Sequence, residues 1–225
     1  MAAADTAKKA VGEKAASYVQ NGMHVGLGTG STAYWMVVSL GERVKQGLEI
    51  TAVPTSQATA KLAMEYGIPL TDFSQVQQLD LTIDGADEID DGLHLIKGGG
   101  GALLREKIVA SAAERLIIIA DDSKKRGVLG EFPLPVEVVP FGWELVAGSI
   151  SALGCEPVLR TEGEERFITD NGNYILDCRF ERIPDPAELH GQLKSLVGVV
   201  ETGLFVGMAD VVLLGGEDGV RLLER

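Results

Sequence analysis

The chain has 225 residues, enough for one large or two small domains, and its 45% hydrophobic and 24% charged content is that of a globular protein rather than a disordered one. Twenty basic residues against 33 acidic ones give a net charge of −13, which argues against nucleic acid as the main partner. An anionic ligand would therefore need a local basic site, and Lys8-Lys9, Arg105/Lys107 and Lys124-Lys125-Arg126 are the candidates.

Residues Met1 to Lys9 are small and polar without an apolar signal segment, and no apolar run approaches the roughly 20 residues that span a bilayer. A cytoplasmic protein without a membrane partner is expected. The two cysteines, Cys155 and Cys178, lack metal-ligand spacing and read as structural thiols of a reducing compartment.

Strands and helices alternate through the first half. A helix is expected over about 5–20, then a short strand from His24 to Gly28 ending in glycines. A helix over roughly 31–45 follows, with Ser31 or Thr32 as its cap. Ile50–Val53 is the next strand, followed by a helix around 56–66. Leu79–Ile83 reads as a buried strand that delivers Asp84 at its carboxyl end. A helix from Leu103 to about Arg115 leads into Leu116–Ala120, the clearest strand of the chain. Continuous apolar strands in this order predict a parallel sheet covered on both faces, with ligands beyond the carboxyl ends of its strands.

The texture changes after Gly127, where Pro133, Pro135 and Pro140 lie close together. Strand (136–139), helix (142–153), strand (156–160), a strand pair, helix (186–195) and strand (198–202) give the β-α-β-β-α-β order of a ferredoxin-like domain. Asn171-Gly172 reads as the turn of a hairpin joining Phe167-Ile168 to Tyr174–Leu176. Ala209–Leu214 resembles the earlier buried strands, so the chain is expected to return to the first sheet. The fold class is α/β: a Rossmann-like, mostly parallel sheet domain (1–130 and 205–225) with a smaller ferredoxin-like α+β domain (131–204) inserted.

Three segments carry chemistry. Gly26-Leu27-Gly28-Thr29-Gly30-Ser31-Thr32 lies between strand and helix, where amides and the helix dipole favour an anion. Ser31 replaces the third glycine of a dinucleotide fingerprint, and the next strand ends in Pro54-Thr55-Ser56-Gln57 rather than an acid for a ribose, so a small phosphate fits better. Asp84-Gly85-Ala86-Asp87-Glu88 follows a strand, and Lys97-Gly98-Gly99-Gly100-Gly101 brings a cation to a backbone that can approach a ligand closely. Glu106 follows in the first turn of a helix, where the dipole favours the ionised form and burial opposes it. Asp84, Asp87, Asp90 and Asp91 fail the spacing of a calcium loop, and His24, His94 and His190 are scattered, so no metal is expected.

Together these motifs resemble the type A ribose-5-phosphate isomerase family over nearly the whole chain. The carriers are Gly28–Thr32, Asp84–Glu88, Lys97–Leu103 with Arg105-Glu106-Lys107, Ala120–Lys124, Pro133–Val138 and Thr169–Asn173, six motifs in order. Residues Glu162 to Arg166 look like a short insertion away from all of them. The resemblance implies interconversion of ribose 5-phosphate and ribulose 5-phosphate through an enediolate, without cofactor or metal, by a cytoplasmic homodimer. It implies Glu106 as the base, Lys97 with the amides of Gly98, Gly99 and Gly100 as holders of the enediolate oxygens, and Asp84 with Lys97 as openers of the sugar ring. Asp87, Gly85 and Ala86 would line the sugar, while Thr29, Gly30, Ser31 and Thr32, with Lys8 and Lys124, would hold the phosphate. Two other readings remain at this point: an acyl-CoA transferase with a nucleophilic glutamate, and a non-catalytic sugar-phosphate sensor that would not need Asp84, Lys97 and Glu106 together.

Overall fold

The structure is a computed structural model and describes residues 3–224. The chain runs α1 (Ala3–Ala16), β1 (His24–Leu27), α2 (Ser31–Lys45), β2 (Thr51–Pro54), α3 (Gln57–Glu65) and β3 (Leu81–Gly85). It continues with β4 (Glu88–Ile89), β5 (Leu95–Ile96), α4 (Leu103–Ser111) and β6 (Leu116–Asp121), which ends in a 3-10 turn over Asp122–Lys124. Then come β7 (Leu134–Val138), α5 (Trp143–Ser151), β8 (Glu156–Leu159), β9 (Thr161–Glu162), β10 (Glu165–Arg166) and β11 (Tyr174–Arg179). The chain closes with α6 (Pro186–Lys194), β12 (Val199–Thr202), β13 (Leu204–Phe205), β14 (Val211–Gly216) and β15 (Gly219–Glu224). Two compact units result, one of Met1–Ala86, Arg105–Lys124 and Met208–Arg225, the other of Asp87–Leu104 and Lys125–Gly207.

The first unit is built on a six-stranded sheet in the order β15-β14-β6-β3-β1-β2, parallel except for β15. Its strands are apolar without alternation because both faces are covered. Val25, Leu27, Ile83, Ile117, Ile119 and Leu213 pack with Val11 and Ala15 of α1 and Met36, Val37 and Leu40 of α2. Val53, Leu79 and Val109 of α4 form a separate cluster. Such double burial is the pattern of parallel sheets. From β1 the chain steps outward to β2, then crosses back to β3 on the other side, so the order reverses between β1 and β3. Loops leaving the two strands there diverge and open a crevice at their carboxyl ends.

The second unit contains an antiparallel sheet in the order β12-β7-β11-β8, with α5 and α6 in the two crossovers, which is the ferredoxin-like arrangement. Leu134, Val136, Val138, Leu176 and Cys178 pack there with Val146 and Ile150 of α5 and Leu193 of α6. Both cysteines are free thiols in this core; the adjacent Cys155 thiol and then burial push the Cys178 thiol above its ordinary range, so it is inert near neutral pH.

Two sequence expectations need correction, and one strand is new. The sequence assigns segment 87–104 to the first domain, yet it belongs to the second unit. Its strands β4 and β5 form a small sheet with β13, and buried Glu88 accepts the N–H groups of Gly130 (2.7 Å) and Phe132 (2.6 Å). The Asn171-Gly172 turn forms, with Gly172 at φ 80° and the Thr169 N–H bonded to Asn173 O at 2.9 Å, but Phe167-Ile168 is not its second strand. β11 already has β7 on one edge and β8 on the other, so no edge is left for 167–168. The residues at 162–166 instead belong to a separate β9–β10 hairpin. Finally, the sheet ends in a strand the sequence analysis did not single out, β15, an edge strand turning back at Gly216 and Gly219.

The 169–173 turn is locked from below. Glu137, fully buried on β7, accepts hydrogen bonds from Thr169 Oγ1 (3.0 Å) and Asn173 Nδ2 (2.9 Å) on one carboxylate oxygen. Thr169→Val removes a hydrogen bond to a buried charge, and urea unfolding should show a loss of about 1–3 kcal/mol.

Candidate active site

In the first unit, β1 ends at Leu27 and the chain enters the loop that the sequence marks for phosphate. Gly28 is required there by close approach: a Cβ would lie 2.2 Å from Asp84 Oδ1 and 2.5 Å from Asp84 Cα. With no side chain in the way, β1 and β3 run side by side to their ends, Leu27 opposite Ile83. Asp84, 1% exposed, then accepts the N–H of Thr29 (3.1 Å) and the N–H of Gly85 (2.7 Å) on Oδ1. Two backbone dipoles thus hold a carboxylate in the fold that would otherwise be costly to bury. Gly85 and Ala86 follow, both half-buried.

Helix α2 starts without a side-chain cap. Its N-cap is Gly30, at φ 116° where glycine is favoured, and neither Ser31 nor Thr32 caps it as the sequence suggested. The exposed Ser31 and half-buried Thr32 therefore sit in the first turn beside amides that have no carbonyl partner within the helix. The Thr29 hydroxyl is engaged within the protein. Its Oγ1 lies 2.7 Å from Thr55 Oγ1, 2.8 Å from Ser56 Oγ and 3.0 Å from Thr59 Oγ1, so it anchors the loop to the end of β2 and the start of α3. Thr55 and Thr59 in turn donate to the carbonyls of Leu27 and Gly28 at 3.0 Å each. Sequence reasoning missed this hydroxyl cluster; its signal was the Thr55-Ser56 pair at the strand end, read only as the lack of an acid.

Glu106 is the fourth residue of α4 and 5% exposed. Lys124 closes the 3-10 turn after β6, and Lys8 lies on α1 beside Ala7, which packs closely over Gly215 of β14. Gly215 pairs with Asp121, so both lysines border the carboxyl end of the same two strands.

In the second unit, Asp87 and the glycine turn are brought together. Asp87 Oδ2 accepts the Gly99 N–H at 2.7 Å, while its own N–H bonds to Ile96 O at 2.8 Å. Gly98 (φ 100°) and Gly101 (φ 79°) take conformations that favour glycine, and Gly99 and Gly100 are exposed. Lys97 is 2% exposed; its backbone N–H bonds to Gly203 O at 2.9 Å, and its ammonium lies 5.3 Å from the Phe205 ring centre. The chain passes from the first unit to the second between Ala86 and Asp87 and returns between Leu104 and Arg105, so the catalytic candidates divide as Asp84 and Glu106 against Asp87 and Lys97. No group of three or more metal-ligating side chains occurs among the described residues. His24, His94 and His190 are engaged with Thr51, the Gly207 N–H and Thr202, as structural histidines are.

In the first unit, a carboxylate oriented by backbone amides and an uncapped helix start at the switch point of a parallel sheet are equipment suited to acid–base chemistry on a small anionic metabolite. Comparison with known proteins places it further. The family model for ribose 5-phosphate isomerase A (phosphoriboisomerase A) matches residues 51–219. Ribose-5-phosphate isomerase A 1 of Oceanobacillus iheyensis is 59% identical, with 96% of this chain and 97% of that protein covered. The solved ribose 5-phosphate isomerase A of Methanocaldococcus jannaschii superposes with a TM-score of 0.94 at 41% identity, covering 98% of this chain and 99% of that one. A solved D-ribose-5-phosphate isomerase in complex with phospho-erythronic acid gives a TM-score of 0.96 at 39% identity, covering 99% of each chain. The chain belongs to the ribose 5-phosphate isomerase A family and is an isomerase of carbohydrate metabolism. No helix among the described residues is long and apolar enough to cross a membrane.

Gly28→Ala should leave a folded protein in which Asp84 is displaced by the new methyl group. A steady-state assay should show kcat/KM lowered on the order of 100-fold, the cost of a misplacement of about 1 Å at a reacting group.

Proposed function

We propose that this chain interconverts D-ribose 5-phosphate and D-ribulose 5-phosphate by proton transfer through an enediolate. The carrying observation is the Thr29 N–H bond to Asp84, which ties the phosphate-type loop to a fixed carboxylate at a sheet switch point. Ser31 and Thr32, the amides at the start of α2, and Lys8 and Lys124 hold the phosphate; Thr29 supports that loop from behind. Asp84 takes the proton of the anomeric hydroxyl as the C1–O4 bond breaks, and Lys97 supplies a proton to the ring oxygen, leaving the open aldehyde. Asp87, Gly85 and Ala86 line the sugar, and Asp87 orients its hydroxyls.

Glu106 then removes the proton from C2, and the electron pair forms the C1–C2 double bond while charge moves onto O1. Lys97 and the amides of the 98–100 turn stabilise that charge; a single such donor is worth about 2.7–4 kcal/mol of barrier. Glu106 returns the proton to C1, Asp84 gives O1 the proton it took in ring opening, and O2 gives its proton to Lys97, which restores all three groups and yields the ketose. Every proton is accounted for by the chain's own groups. An acyl-CoA transferase or a non-catalytic sensor has no observation in its favour.

The thiols, both reduced and buried, suit a cytoplasmic location. A homodimer follows from the resemblance, and the exposed apolar side chains Phe141, Leu145 and Val197, at 95%, 80% and 96%, offer surface for a second copy to cover.

An assay with ribose 5-phosphate, run with a chelator present, should show ketopentose phosphate formed. Glu106→Gln should lower kcat on the order of 10⁴-fold while phosphate binding persists, and near-normal turnover would remove Glu106 from the base role. In D₂O the product sugar should gain solvent deuterium; complete retention of the substrate hydrogen would point to hydride transfer.

A further inference from the structure

The glycine turn is held on the side opposite Asp87 by a residue that no sequence motif singled out. Arg160 follows β8, and its Nη1 donates to Gly98 O (2.9 Å) and to Gly99 O (3.2 Å), 62 and 61 residues away in sequence. Its Nε and Nη2 pair with the two carboxylate oxygens of Asp177 on β11 at 2.9 and 2.5 Å, and its guanidinium lies 5.8 Å from the Phe167 ring centre. The Phe167 ring in turn fills the space beside Gly101, where a Cβ would meet it at 2.3 Å. Arg160 is itself fixed to the ladder, its N–H bonding Ile175 O at 2.9 Å.

The consequence follows from peptide geometry. In a trans peptide the C=O and N–H point in opposite directions, and the chain has no cis bonds. The Gly98–Gly99 peptide is gripped at both ends, its carbonyl by Arg160 and its N–H by Asp87 at 2.7 Å. For the Gly99–Gly100 peptide, Arg160 holds the carbonyl, so the Gly100 N–H is turned the other way, away from Arg160. A four-glycine run is otherwise the least restrained backbone in a protein.

We propose that Arg160, oriented by Asp177, is a positioning residue for the isomerisation: it sets the two peptide planes of the glycine turn so that the Gly100 amide is aimed as a donor to the enediolate and Asp87 stays in place. This rests on the assignment of that turn to the enediolate oxygens. A guanidinium suits the task because one planar group serves a carboxylate on one edge and carbonyls on another, which an ammonium cannot do.

The test is a comparison of Arg160→Gln, Arg160→Lys, Arg160→Ala and Asp177→Asn with the unmodified protein, kcat and KM being measured separately and folding checked by cooperative melting. Arg160→Gln should lose kcat on the order of 10- to 100-fold with far less change in KM, as expected when a transition-state donor is misaimed. Asp177→Asn should lose less, and Arg160→Lys should fall between Gln and the native residue. A cleft of about 350 Å³ lined by Gly99, Val158, Arg160 and Asp177 adjoins the side chain, so added guanidinium ion should restore part of kcat in Arg160→Ala. Full kcat in folded Arg160→Gln overturns the proposal, as does a loss that neither lysine nor guanidinium relieves. Glu106→Gln in the same assay separates the two levels: its loss beside an active Arg160→Gln sinks the positioning role alone, whereas its activity beside an impaired Arg160→Gln sinks the assigned base.

Discussion

A carboxylate cannot stay charged inside a protein unless something answers its charge, and in the first unit that answer comes from backbone. Asp84 sits at the end of β3, and its Oδ1 is met by the N–H of Thr29 from the neighbouring strand's loop and by that of Gly85 beside it. Much else in that unit is arranged so that these amides arrive. Gly28 has no side chain because Asp84 occupies the place one would take. Thr55, Ser56 and Thr59 hold Thr29 from behind, so the loop is pulled towards β2 and its amide left pointing at the acid. The parallel sheet contributes the switch point at which the two loops can meet.

The same device recurs in the second unit with different parts. Asp87 takes the Gly99 N–H, Glu88 takes those of Gly130 and Phe132, and Glu137 takes side-chain donors from the 169–173 turn. In each case an acid ties down a loop through its hydrogen-bond donors. Hydrogen bonds to a charged acceptor are about twice as strong as neutral ones, so a few of them can order such a loop where packing cannot. Loops pinned in this way keep their donors aimed before a ligand arrives, and electrostatic stabilisation depends on that.

What could be read from the sequence follows from the range of the interactions. Strand β6 and helix α2 were legible because apolar continuity and helical period are local properties, and the glycine and acid motifs were legible because their chemistry is written within a few residues. The membership of 87–104 was not, since it depends on β5 pairing with β13 more than 100 residues on, and two-residue strands leave no periodicity to see. Arg160 and Asp177 escaped for the same reason: an arginine after a strand looks solvated until the fold brings Gly98 to it. The Asn171-Gly172 hairpin misled in the opposite way. The turn chemistry was right, but which strands pair is decided by free edges, and β11 had none.

The net charge of −13 poses a last physical question, since the proposed substrate is itself an anion. At physiological ionic strength the Debye length is about 8 Å, so acids scattered over the surface contribute little at a binding loop. What matters is the local set. Around the start of α2 that set is amides without helical partners, two hydroxyls and a helix dipole of roughly half a charge, none of which appears in a count of lysines and arginines. Fixed dipoles have a further advantage in a site that also holds Asp84 and Glu106. They attract a phosphate without adding a cation beside those carboxylates. A loop built mainly of lysines would offer ion pairs to those carboxylates as well as to the phosphate; one built of backbone amides attracts the phosphate alone.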